Sequence, residues 1–198
     1  MRNAIVSAAM GGAALCVASL SGAVLGGAGG QALAQQQNRI IPLPSADFDA
    51  EYTLSGDMTG AMRFVFSREL QRMRVEFSAQ GQSMVGVHDL KARSSRMWSA
   101  QMPGMIMRVD GGARAEAKGA PTPETREILG ERCAVWKTEG GSACFASDGT
   151  PLAFSSGAMK AEAARIDRKP VAPAAFAVPK GQELPIKLGG GMQMPLPF

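Results

Sequence analysis

Few side chains in this 198-residue sequence could carry chemistry: there is one histidine, His88, and there are three cysteines. A single histidine excludes two-histidine zinc sites and metalloprotease helices. A serine hydrolase needs a Gly-x-Ser-x-Gly nucleophile elbow, which is absent, and Gly140-Gly141-Ser142 lacks that context. His88 has one acidic neighbour, Asp89. A lone histidine on a short strand reads as a surface or turn residue rather than a base. The chain is therefore expected not to be an enzyme and to need no cofactor.

Cys133 and Cys144 have ten residues between them, including Glu139-Gly140-Gly141, a hairpin signal. An even pair in an exported chain reads as a disulfide. The alternative is a reactive thiol working with His88, but no Cys-x-x-Cys spacing supports it. Methionine is abundant, with 13 in the sequence, and clusters at Met102-Pro103-Gly104-Met105-Ile106-Met107 and at Met192-Gln193-Met194. Thioethers suit Cu(I), so Met102, Met105, Met107, Met192 and Met194 form a candidate copper set. The competing reading is that methionine fills irregular sheet cores. Met62, Met73, Met84, Met105 and Met107 sit at alternating positions beside Phe and Val, which favours core packing.

Export is read from the first 34 residues, where Arg2 is the only charge and Ala32-Leu33-Ala34 ends a long uncharged stretch. This pattern is a signal peptide over 1–34, cut before Gln35 and taking Cys16 with it. The expected location is periplasmic or secreted, with no membrane span left after cleavage. The remaining chain carries +3, because Arg2 supplies one unit of the +4 total. That charge is spread out and is not a nucleic-acid footprint. Arg63, Arg72, Arg74, Arg93, Arg96 and Arg108 are expected on a solvated face.

Residues 35–46 read as an extended lead-in, 47–188 as one β domain and 189–198 as a flexible tail. From Phe48 the period is two: Phe48, Ala50, Tyr52 and Leu54 alternate with polar residues, as do Met62, Phe64 and Phe66, then Met73, Val75 and Phe77. Short strands over 84–88, 97–98 and 105–109 follow, with a turn at Pro103-Gly104. This is an antiparallel meander. Residues 110–124 lack periodicity and read as a loop. Ile128 to Lys137 and Ser142 to Ala146 form the disulfide hairpin, and Asp148-Gly149 turns the chain into 152–155. Residues 158–167 (AMKAEAARID) favour helix by composition and strand by continuation of the meander. Pro170 ends them either way.

Gly130, Cys133, Trp136, Cys144, Asp148-Gly149-Thr150-Pro151-Leu152 and Phe176-Ala177-Val178-Pro179-Lys180-Gly181 carry a resemblance. Over residues 46–185 the chain resembles a secreted bacterial family of unknown function whose members are similar to the LolA and LppX lipoprotein carriers. The resemblance implies a mainly β fold: a curved antiparallel sheet, an unclosed LolA-like half-barrel, with few short helices over its concave face. It implies strand for 158–167 and supplies no catalytic residues.

The resulting expectation is an exported envelope protein that binds an apolar or lipidic ligand on one face of the sheet. That face would be lined by Phe64, Phe66, Met73, Phe77, Met105 and Met107 and closed partly by Phe176 and Val178. The alternatives are a Met-rich copper-binding protein and a structural envelope protein with no small ligand.

Overall fold

Alternation of apolar and polar residues with turn residues between them generates one continuous sheet. The computed structural model describes residues 39–41, 43–111, 118–138 and 140–186. The segment 1–34 expected to be a signal peptide and the expected tail with Met192 and Met194 lie outside the described residues. Thirteen strands form in chain order: β1 (Arg39–Ile40), β2 (Phe48–Gly56), β3 (Gly60–Ser67), β4 (Arg72–Ala79), β5 (Gln82–Asp89), β6 (Ser94–Ser99) and β7 (Met105–Asp110), then β8 (Lys118–Ile128), β9 (Glu131–Thr138), β10 (Gly141–Phe145), β11 (Pro151–Ser156), β12 (Met159–Asp167) and β13 (Gln182–Ile186). Their order in the sheet is β1-β8-β9-β10-β11-β12-β2-β3-β4-β5-β6-β7-β13. Two antiparallel meanders, β2–β7 and β8–β12, thus join where β12 pairs with β2. β13 is the parallel exception, running along β7 from Gln182↔Met105 to Ile186↔Val109.

The expected mainly β class holds, with three local corrections and one open segment resolved. The described residues contain no α-helix, only a 3-10 turn at Pro173–Phe176, so none of the expected short helices is found among them. The ambiguous segment 158–167 is strand from Met159 onward. β12 pairs with β11 on one side and β2 on the other, and those ladders outweigh the helical propensity of its alanines. The expected loop over 110–124 becomes strand from Lys118, with a register shift between Pro121 and Thr125 that accommodates the prolines. The expected single strand 128–137 is broken by a turn at Leu129 (φ 55°) and Gly130 (φ 75°). Gln80 (φ 52°) and Gly81 (φ 76°) repeat this geometry between β4 and β5. Two successive residues at positive φ are what a two-residue hairpin turn requires.

Large buried aromatic side chains gather around the β12–β2 seam. Phe48 and Phe64 are fully buried, with ring centroids 5.1 Å apart in an edge-on contact. Ala161 and Ala163 of β12 are small and buried. Past them Tyr52 reaches beyond its neighbouring strand, donating its hydroxyl to the Pro151 carbonyl at 2.6 Å and packing against Phe154. Across β9 and β10, Cys133 and Cys144 form a disulfide with Cα atoms 5.4 Å apart, both residues buried. A disulfide is consistent with an oxidising, extracytoplasmic location. Arg126 of β8 and Glu162 of β12 pair at 2.7 Å although four strand spacings separate them along the sheet. Flat strands would stand about 19 Å apart over that interval, so the sheet curls strongly there.

Candidate functional site

Register assigns the sequence-predicted residues to faces. Phe66↔Met73↔His88↔Ser95↔Val109 form one cross-strand row, Phe64↔Val75↔Gly86↔Met97↔Met107 a second, and Met62↔Phe77↔Met84↔Ser99 a third. Phe64, Phe66, Met73, Phe77 and Met107 therefore share one face, as expected from alternation, whereas Met105 precedes the β6–β7 ladder and sits beside the edge turn. Phe64, Phe66 and Met73 are committed to the protein's own core. Toward β5–β7 the same face opens: Met97 and Met107 are half-buried, and Met84 is exposed.

Phe176 lies elsewhere. It packs with Val65 and Val87, with Leu70, Trp98, Val171, Ala175 and Val178 around them. Val65 stands between Phe64 and Phe66 in the same strand, so Phe176 covers the opposite face. The segment after β12 forms this cover as a strap crossing toward β13. Val171 N–H donates to Asp47 at one end. In the middle, Arg74 donates to the Ala175 carbonyl and lies over the Trp98 ring. Near its far end, Gln182 N–H donates to the Gly104 carbonyl. Pro173 starts the 3-10 turn that lowers Phe176 into the sheet.

Where the strap leaves Phe176, it borders an open pocket of about 310 Å³. Val85, Trp98 and Ile106 line it from the sheet, Met102 and Met105 from the β6–β7 turn, and Pro179 and Lys180 from the strap. The Met102–Met105 turn is closed by a Met105 N–H to Met102 carbonyl bond. Of the candidate copper set, Met102 and Met105 thus meet in this pocket. Met107 faces the methionine-rich side, opposite Ile106 in its strand.

His88 is buried, not a surface or turn residue. Its Nδ1 lies 2.8 Å from Ser95 Oγ, and burial pushes its imidazole pKa down to about 4. Ser95 is itself buried, and no carboxylate hydrogen-bonds the ring among the described residues, so the pair lacks the orienting third group of a catalytic triad. The alternation of Met73, Val75 and Phe77 extended through register into β5 would have placed His88 inside. Of the expected solvated arginines, Arg93 is exposed and Arg63, Arg72, Arg96 and Arg108 are partly exposed and paired, whereas Arg74 is half-buried beneath the strap. Arg63 makes a two-pronged contact with Asp49, holding that carboxyl below its usual range, while Arg72 pairs with Asp89, Arg96 with Glu183 and Arg108 with Asp110. Among the described residues no helix is long and apolar enough to cross a membrane.

No protein-family model matches the chain. No curated protein sequence matches it. Solved structures do. PNGF-II superimposes with TM-score 0.51 at 13% identity over 71% of this chain. A second crystal form of PNGF-II gives TM-score 0.50 at 14% identity. An uncharacterised conserved protein from Thermus thermophilus gives TM-score 0.54 at 12% identity, over 72% of this chain and 91% of its own. The chain spans about a third of the length of PNGF-II, 32%. At these identities the likeness is one of fold, and it extends to no shared activity.

Proposed function

We propose that this chain is an exported, non-enzymatic envelope protein that binds a single apolar chain with an anionic head, such as a fatty acid, in the pocket beneath the strap. The observation that carries this reading is the pocket's composition. Val85, Trp98, Met102, Met105 and Ile106 offer apolar wall, and Lys180 offers one cation for a carboxylate. Its volume of about 310 Å³ falls at the small end of ligand pockets, which span roughly 300–1,000 Å³. Methionine at the rim supplies an adaptable surface for a flexible chain. The resemblance to the LolA and LppX carriers points in the same direction, although the pocket is on the Val65 side of the sheet rather than the Phe64 side. The core positions of Phe64, Phe66 and Met73 favour the Val65 side, because their surface is already used.

The test is binding of a fluorescent fatty acid, read alongside Trp98 emission in a Trp136→Phe background that leaves Trp98 as the single indole. Saturable binding with a Trp98 response is expected. Met105→Glu should abolish it, and Lys180→Glu should weaken the acid while sparing an uncharged alcohol of the same length. Met105 is exposed, so its replacement leaves the core intact. No saturable binding by the unmutated chain, or binding indifferent to both substitutions, would favour the structural envelope role instead.

A further inference from the structure

The methionine-rich face carries a second constellation, on the opposite side of the sheet from the pocket. His88 is the only imidazole in the chain, it is 9% exposed, and it is held by Ser95 through Nδ1. Its other ring nitrogen packs closely over Gly86, as does the Met97 side chain: a Cβ on Gly86 would stand 3.2 Å from His88 Nε2 and 3.5 Å from Met97 Cγ. The absence of a side chain at Gly86 thus lets the imidazole nitrogen and the thioether arm of Met97 approach one another over the same residue. Register puts Met107 directly opposite Met97 on β7, where facing Cβ atoms stand about 4.5–5.5 Å apart.

We infer that His88 Nε2 and the thioethers of Met97 and Met107 form a binding site for one Cu(I) ion. The donor chemistry selects this ion. One imidazole and two thioethers make a soft, uncharged set, which suits Cu(I) and gives little to hard cations that need oxygen ligands. Ser95 acts as the outer partner. When Nδ1–H donates to Ser95 Oγ, the lone pair of Nε2 is left for the metal and the ring plane is fixed. Met97 and Met107 are half-buried, so the ion has a path from solvent while His88 forms the inner wall. This set shares only Met107 with the methionine cluster singled out by sequence spacing. Register, not spacing, brings Met97 and His88 to it.

The full chain is titrated anaerobically with Cu(I) held by bicinchoninate, and the copper withdrawn from the chelator is measured. One Cu(I) per chain is expected. Met97→Leu and His88→Gln should each weaken uptake by tenfold or more, while Met102→Leu/Met105→Leu, which alters only the exposed methionines of the pocket, should leave it unchanged. Should His88→Gln disturb folding, Met97→Leu keeps the test open, since it swaps side chains of similar size. Ag(I), a redox-inert stand-in, should shift the ¹⁵N resonance of His88 Nε2, and the assignment is direct because the chain has one histidine. No withdrawal of Cu(I) by the unmutated chain, uptake retained in Met97→Leu, or an Nε2 resonance indifferent to Ag(I) would each overturn the site. Fatty-acid binding is read through Trp98 on the other face, so the two proposals can fail separately.

Discussion

The β12–β2 seam and the β5–β7 end belong to one sheet and solve the same problem differently. At the seam, aromatic side chains interlock around two alanines. Phe48, Tyr52, Phe64 and Phe154 are all buried, and Ala161 and Ala163 make the room they need. At the other end the same face carries Met84, Gly86, His88, Ser95, Met97 and Met107, a mixture of flexible, small and polar groups, several of them half-exposed. Rigid complementary shapes give a region that tolerates little change, whereas methionine and glycine leave space and adaptability. The comparison teaches where to look for function. Residues already spent on packing cannot also bind, and the candidate sites lie where packing is incomplete.

The sharpest way to break this contrast is a matched pair of truncations. Phe64→Ala should lower unfolding free energy in urea by about 3–5 kcal/mol, as for other buried phenylalanines. Met105→Ala, at an exposed position, should shift it by less than about 0.5 kcal/mol. Equal losses would mean that the two ends are packed alike. Removing the disulfide as Cys133→Ala/Cys144→Ala should cost about 3 kcal/mol in the chain-entropy account of a short loop. In the unreduced protein neither cysteine should be alkylated. Free thiols there would remove the staple from the packed half.

The methionine-rich end has its own signature in acid. Burial depresses the His88 pKa to about 4 from its ordinary 6.5. Below pH 6.5 the unfolded chain takes up a proton that the folded chain refuses. The stability tied to neutral His88 is therefore complete above that pH and is lost as pH falls toward 4. Between pH 7 and pH 5 the unmutated chain should lose about 2 kcal/mol that His88→Gln does not lose. Parallel pH profiles for the two chains would place the ring in water. The smallest expected effect returns to the seam. Tyr52→Phe keeps the ring and orphans the Pro151 carbonyl, at a cost on the order of 1–2 kcal/mol. A null result in chemical denaturation would show that the hydroxyl bridge over β12 contributes nothing beyond packing.

By itself the amino-acid sequence determined the faces of β2 to β4, the two cysteines that pair, and the turns at Gly81, Pro103-Gly104 and Asp148-Gly149. Each of these is a local property: a period of two, an even pair of cysteines flanking a hairpin signal, or a residue type that accepts an unusual φ. The shared face of Phe64, Met73, Phe77 and Met107 was legible for the same reason. Tertiary structure alone decided what no local window contains. Residues 159–167 became strand because two neighbours were waiting for their backbone groups, and residues 118–128 became strand despite two prolines for want of a better partner for β9. Alternation separates Val65 from Phe64, but it does not say which of the two a segment over a hundred residues later will cover. Phe176 went to Val65 because the strap had to pass beneath six strands to reach β7, and only that face offered it Val65, Val87 and the Trp98–Arg74 stack to rest on.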